Sequence, residues 1–251
     1  MQLAIQENLV FGLDEALAAG FDGLELRDAD PARDVAAMRG RAWTSCPELD
    51  GWLGDFDAGA RRRAIEGLRR QLEGVAALGG TGVITPAAWG MFTRRLPPFA
   101  EPPRTPDEDR EVLVEGLAEL GAHAAQLAVA LLLEPLNRYE DHMVNTVAQA
   151  AALIADAGSG GLAILADTYH MNIEEDDPCA TLAAHAPLVG AVHLSDSNRG
   201  QPGTGHVPFD RVVSTLRDAR WDGILSVECR LRGEPAEAVR ECGAYLRGLV
   251  S

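Results

Sequence analysis

Short apolar runs bounded by turn residues alternate with helical stretches from one end of this chain to the other. The runs predict strands at Leu3–Gln6, Gly23–Leu26, Ala42–Cys46, Gly82–Thr85, Val129–Glu134, Leu162–Asp167, Val189–His193 and Ile224–Glu228. Helices are predicted near Leu13–Ala19, Pro31–Met38, Ala58–Leu78, Asp107–Leu127, Val144–Ala157, Pro178–His185, Phe209–Ala219 and Glu234–Leu249. Alternation of this kind favours an α/β fold with a parallel sheet. About eight strand-then-helix repeats in 251 residues fit one (β/α)8 TIM barrel, a single domain over residues 1–251. Thr105, Pro106 and Glu108 form a capping box that starts the helix before the fifth strand. Asp-Gly at 22–23 and again at 222–223 turns a helix into a strand. Gly79-Gly80 and the stretch Gly158 to Gly161 read as helix ends.

The last four runs share a feature that packing does not require. Each finishes on a side chain able to bind a metal: Glu134, Asp167, His193 and Glu228. In a β/α barrel the C-terminal strand ends meet at one mouth, where catalytic groups sit. Three carboxylates and one imidazole converging there make a divalent-metal site. That donor set suits Mn²⁺ first, with Mg²⁺ or Co²⁺ as alternatives, better than structural zinc, which prefers Cys and His.

Polar residues follow three of the four. Glu134 begins Glu-Pro-Leu-Asn-Arg-Tyr-Glu140, Asp167 begins Asp-Thr-Tyr-His170, and His193 begins His-Leu-Ser-Asp-Ser-Asn-Arg199. Loops after barrel strands carry ligand contacts, so Glu140, His170 and Arg199 are placed to hold a polyol beside the metal. Other groups read as structural. His123, His142, His185 and His206 lack paired ligands, and Glu174 to Asp177 form a solvated charge patch before a helix. Cys46 ends the third strand, where it faces the pocket or, as is usual, packs as a small buried hydrophobe, and Trp89 and Phe92 form an apolar wall or pack their own loop. Glu7 and Glu25 line the mouth or cap a helix and stay outside the metal shell. The proline-rich stretch Leu96–Pro106 is an excursion over the mouth.

From about Ala128 to Arg230 the chain resembles the xylose-isomerase-like sugar isomerases and epimerases, and within them the ketose 3-epimerases of the D-tagatose/D-psicose group. Glu-x-x-Asn-Arg-Tyr-Glu, Asp-Thr-Tyr-His-Met-Asn-Ile-Glu-Glu and His-x-x-x-x-Asn-Arg with a following Pro-Gly-x-Gly carry the resemblance. Before about Leu127 the likeness lies in the barrel pattern alone. The resemblance implies that Glu134, Asp167, His193 and Glu228 bind the metal and that Glu140, His170 and Arg199 grip the ketose at O1 and O2. It also implies a homo-oligomer, dimer or tetramer. Inverting C3 requires removing a proton and returning one to the opposite face, which assigns Glu134 and Glu228 as opposed acid/base residues around a metal-stabilised enediolate. The same site would serve an aldose–ketose or hydroxypyruvate isomerase or an inosose dehydratase. An endonuclease IV-like nuclease shares the barrel and is the remote alternative.

Composition narrows the choice. A formal net charge of −16 argues against a nucleic-acid partner. All 22 basic residues are Arg, which excludes a Schiff-base or P-loop lysine and tilts the substrate towards an unphosphorylated sugar. No apolar run approaches the roughly 20 residues of a membrane span. With no basic leader and four scattered cysteines (Cys46, Cys179, Cys229, Cys242), a cytoplasmic protein with reduced thiols is expected.

Overall fold

The computed structural model describes residues 1–30, 32, 42–91 and 102–251. The predicted helix at Pro31–Met38 apart from Ala32, the residue Phe92 and most of the stretch Leu96–Pro106 lie outside them. Eight parallel strands close into a barrel in sequence order: β1 (Gln2–Gln6), β2 (Gly23–Leu26), β3 (Ala42–Ser45), β4 (Gly82–Pro86), β5 (Ala130–Glu134), β6 (Leu162–Asp167), β7 (Val189–Leu194) and β8 (Ile224–Val227). Around them lie α1 (Leu13–Ala18), α2 (Ala58–Leu78), α3 (Pro106–Gln126), α4 (Val147–Ala157), α5 (Thr168–Glu174), α6 (Pro178–His185), α7 (Phe209–Asp218) and α8 (Pro235–Val250). Every predicted strand is present within a residue or two, as the continuous apolar runs require of a sheet covered by helices.

Side chains alternate along each strand, and this alternation places the chemistry. Leu131 and Leu133 join the large core between sheet and helices, whereas Leu132 joins a second cluster with Ala4, Trp43, Ile84, Leu165, Ala191 and Ile224. That second cluster plugs the barrel. Two residues further along the same rows stand Gln6, Glu134, Asp167 and His193, with Glu228 four beyond Ile224. The polar groups therefore rest on a closed apolar floor, and the pleat alone turns them to one mouth.

Helix ends follow the expected devices. Thr105 and Thr146 each form a full capping box, and Gly79 (φ 77°) and Gly158 (φ 62°) end their helices in the left-handed region. α5 falls where the sequence reading placed only polar loop residues. Asp167 caps it, accepting from the N–H groups of Tyr169 (2.6 Å) and His170 (3.4 Å). Glu174 and Glu175 also depart from the solvated patch expected of them. Glu174 is clamped by Arg138 Nη2 at 2.8 Å, and Glu175 accepts from Val147 N and Thr181 Oγ1. Asp177 does cap the next helix, α6. Among the described residues, no helix is long and apolar enough to cross a membrane.

Candidate functional site

One ligand atom from each of Glu134, Asp167, His193 and Glu228 can be chosen so that all lie within 4.8 Å of one another. His193 Nδ1 is the hub, 3.3 Å from Glu228 Oε2, 3.5 Å from Glu134 Oε1 and 3.9 Å from Asp167 Oδ2. Buried polar atoms are normally paired, yet His193 Nδ1 and Glu134 Oε1 have no hydrogen-bond partner. Two orphaned donor atoms facing one space, in a set of three carboxylates and an imidazole, fit a divalent cation.

Charge in the site agrees with that fit. Burial pushes the Glu134 carboxyl up to about 7 and that of Asp167 up to about 6, against the pull of the cations around them. Burial would lower His193, yet Glu25 and Glu228 hold it well above its usual value. Glu228 overcomes its own burial through His193 and Arg199 and stays well below the carboxylate range. Buried acids that hold an imidazole's value up supply negative charge that a dication among them would meet.

The sequence reading left Glu25 out, and the structure puts it directly behind the cluster. Its oxygens lie 3.0 and 3.1 Å from His193 Nε2, the nitrogen turned away from the other ligands. Thr44 Oγ1 and Gln6 Nε2 donate to Glu25 at 2.9 and 3.1 Å, and Gln6 Nε2 also donates to Glu228 at 3.1 Å. A carboxylate on the outer nitrogen fixes imidazole tautomer and orientation, as behind many metal-binding histidines. The available signal was an acidic residue in a buried strand, Gly-Leu-Glu-Leu, with no surface to face. Glu7 instead accepts from Arg27 N at 2.6 Å.

Glu140, His170 and Arg199 gather on one side of the cluster. Asn137 donates its backbone N–H to His170 Nδ1 at 3.0 Å and its amide to Glu140 Oε1 at 2.9 Å. The hydrogen-bond network thus assigns the His170 proton to Nε2, which lies 3.0 Å from Arg199 Nη1. Two donors meet there, an arrangement satisfied by an acceptor oxygen lying beside the pair within reach of both. Burial and the neighbouring Arg199 both hold His170 well below its usual value. Arg199 also donates to Asp167 Oδ2 (3.3 Å) and Glu228 Oε2 (3.1 Å) and lies 4.7 Å over the Tyr169 ring.

Arg199 has a left-handed backbone, φ 57°, rare for a side chain of this size. Its loop is held by Asp196, which is fully buried and accepts from the N–H groups of Ser197, Gly203, Gly205 and Val207. These bonds keep Asp196 below its ordinary value although burial opposes ionisation. The remaining histidines stay outside the cluster: His142 lies 3.5 Å from Asp109 Oδ2, His123 3.2 Å from Glu73 Oε1, and His206 pairs with Ser197 Oγ at 2.9 Å.

The site opens into a cavity of about 1270 Å³ whose lining also includes Arg27, Cys46, Leu49, Trp52, Trp89 and Tyr139. Cys46 is thus in the mouth, where burial and the nearby acids keep its thiol protonated.

Residues 13–249 match the family model described as Xylose isomerase-like TIM barrel. The chain is 38% identical over 254 residues to the 3-dehydro-D-guloside 4-epimerase of Escherichia coli, covering 98% of this chain and 97% of that protein. It is 31% identical to the L-ribulose 3-epimerase of Mesorhizobium japonicum over 89% of this chain and 76% of the relative. Among solved structures, the E. coli 3-keto-D-glucoside 4-epimerase superposes with a TM-score of 0.91 at 38% identity over 99% of both chains. The likeness extends through the first half, where the motifs read from the sequence did not reach.

Proposed function

The chain belongs to the xylose isomerase-like TIM barrel family, and we propose that it is a divalent-metal-dependent sugar epimerase that inverts the carbon beside a keto group, with Glu134 and Glu228 as opposed acid and base. The observation that carries this reading is the four-residue cluster with its two orphaned buried atoms. Glu134, Asp167, His193 and Glu228 would hold the ion, Mn²⁺ by preference, which supplies Lewis-acid polarisation of the carbonyl and so acidifies the neighbouring C–H.

The protein's own groups do the rest. Glu134 ends β5 and Glu228 follows β8, so the two carboxylates enter the mouth from separate strands. One removes the proton and the other returns one to the opposite face, and the reverse reaction exchanges their roles. A single rigid base would tend to restore the starting configuration. His170 Nε2–H and Arg199 donate to a substrate oxygen, and Glu140 accepts from the neighbouring hydroxyl. The four cysteines are unpaired, which supports a cytoplasmic location.

Inversion at C3 of a free ketose is the reading that the motifs suggest. Inversion at C4 of a glycoside with its keto group at C3 is the same chemistry displaced by one carbon. Similarity over nearly the full length to a relative named for a 4-epimerisation favours the second. The test is turnover in deuterated water by Mn²⁺-loaded protein, with free ketoses and 3-keto-glycosides as substrates. We expect an epimer that keeps its ketone and carries deuterium at the inverted carbon. An aldose, a dehydrated product, or epimer without solvent deuterium would overturn the proposal.

A further inference from the structure

The mouth is larger than one sugar ring needs. Pockets that enclose small ligands run to about 300–1,000 Å³, and this open cavity reaches about 1270 Å³. Its wall is also unusual for this chain. Only four Trp and three Tyr occur in the sequence, and Trp52, Trp89, Tyr139 and Tyr169 all line the cavity. Tyr169 lies under Arg199, but the other three stand in the loops that follow β3, β4 and β5. Trp89 and Tyr139 are 55% and 59% exposed. Trp52 braces Trp89 edge-on at 6.3 Å, and Trp89 Nε1 donates to Glu140 Oε2 at 3.2 Å. With its N–H engaged, Trp89 offers the mouth an apolar ring face whose π-cloud attracts the partly positive C–H groups of a sugar.

The order of carbons says what belongs there. A ketose inverted at C3 presents C1, C2 and C3 as the held, keto and inverted carbons. A 3-keto-glycoside inverted at C4 presents C2, C3 and C4 in the same three places. Glu140 then faces the C2 hydroxyl, and the next carbon outward is C1, which bears the glycosidic oxygen. Glu140 is also the residue to which Trp89 is bonded. We infer that Trp89, braced by Trp52 and flanked by Tyr139, is a subsite for the ring attached at C1, a second pyranose or an aryl group. This rests on the keto-glycoside form of the proposed function.

Methyl and phenyl 3-keto-glycosides, with the Mn²⁺-loaded enzyme, separate the outcomes. We expect the wild type to favour the phenyl over the methyl substrate about tenfold in kcat/KM, carried by KM. Trp89→Ala should erase that preference. Trp89→Phe loses the hydrogen bond but keeps a ring face, and should retain most of it. Tyr139→Ala, which removes no side-chain bond to Glu140, should reduce it about threefold, with melting temperatures reporting that each variant is folded. Equal activity of the wild type on both glycosides, or a preference that survives Trp89→Ala, would overturn the subsite. Turnover of free ketoses with none of either glycoside would instead overturn the glycoside reading on which it rests.

Discussion

Strands β5, β6 and β7 and the residue after β8 supply the four candidate ligands, whereas β1, β2 and β3 bring Gln6, Glu25 and Thr44 to the same level of the barrel. Both sets are polar and mostly buried, and both rise from one apolar floor. They differ in what their free atoms face. The second half leaves His193 Nδ1 and Glu134 Oε1 unpaired towards the mouth, while the first half spends its polar atoms on Glu25, His193 and Glu228. One half is built to meet a ligand and the other to hold the first in place. Chemistry in a barrel is thus legible at strand ends, and its support must be sought across the barrel.

Breaking the ligand half should have the largest effect. Glu134→Gln and Glu228→Gln should each lower kcat by about 10²- to 10⁴-fold, with circular dichroism unchanged. Chelation should abolish turnover, and added Mn²⁺ should restore it. The supporting half is probed by Glu25→Gln, expected to weaken metal binding by about 10- to 100-fold, read by calorimetric titration of the apoprotein. Normal metal affinity in that variant would erase the division drawn above. Asp196→Asn disturbs neither set but loosens the Arg199 loop, and should cost about 1–3 kcal/mol of stability. The folded Asp196 value is depressed, so its stabilisation is fully present above the unfolded value near 3.8 and is lost as pH falls below it. The variant should flatten that acid limb in thermal melts. Thr105→Ala, remote from the cluster, should cost about 1 kcal/mol with kcat unchanged.

The sequence made the barrel plain because strands covered on both faces leave unbroken apolar runs, and the Asp22-Gly23 and Trp221-Asp222-Gly223 turns punctuate them. The convergence of Glu134, Asp167, His193 and Glu228 was legible for the same reason: a carboxylate or imidazole ending such a run interrupts a pattern. Glu25 was not, since a contact with His193 depends on barrel closure and leaves no local mark. α5 was missed because its residues are chosen for the site, so Thr168–Glu174 lacks the apolar periodicity of a surface helix. Trp89 was noticed as a wall, but its bond to Glu140 spans two loops that sequence spacing does not relate.

The closure of β1 against β8, with Gln6 reaching Glu228, sets an order of assembly. A chain emerging from the ribosome delivers Gln6 and Glu25 well before Glu228. Until β8 has been made and has paired with β1, the growing polypeptide holds a partial set of donors with no frame to align them. The four candidate ligands therefore come together only in the closed barrel, so any change that opens the β1–β8 seam should scatter the cluster as well.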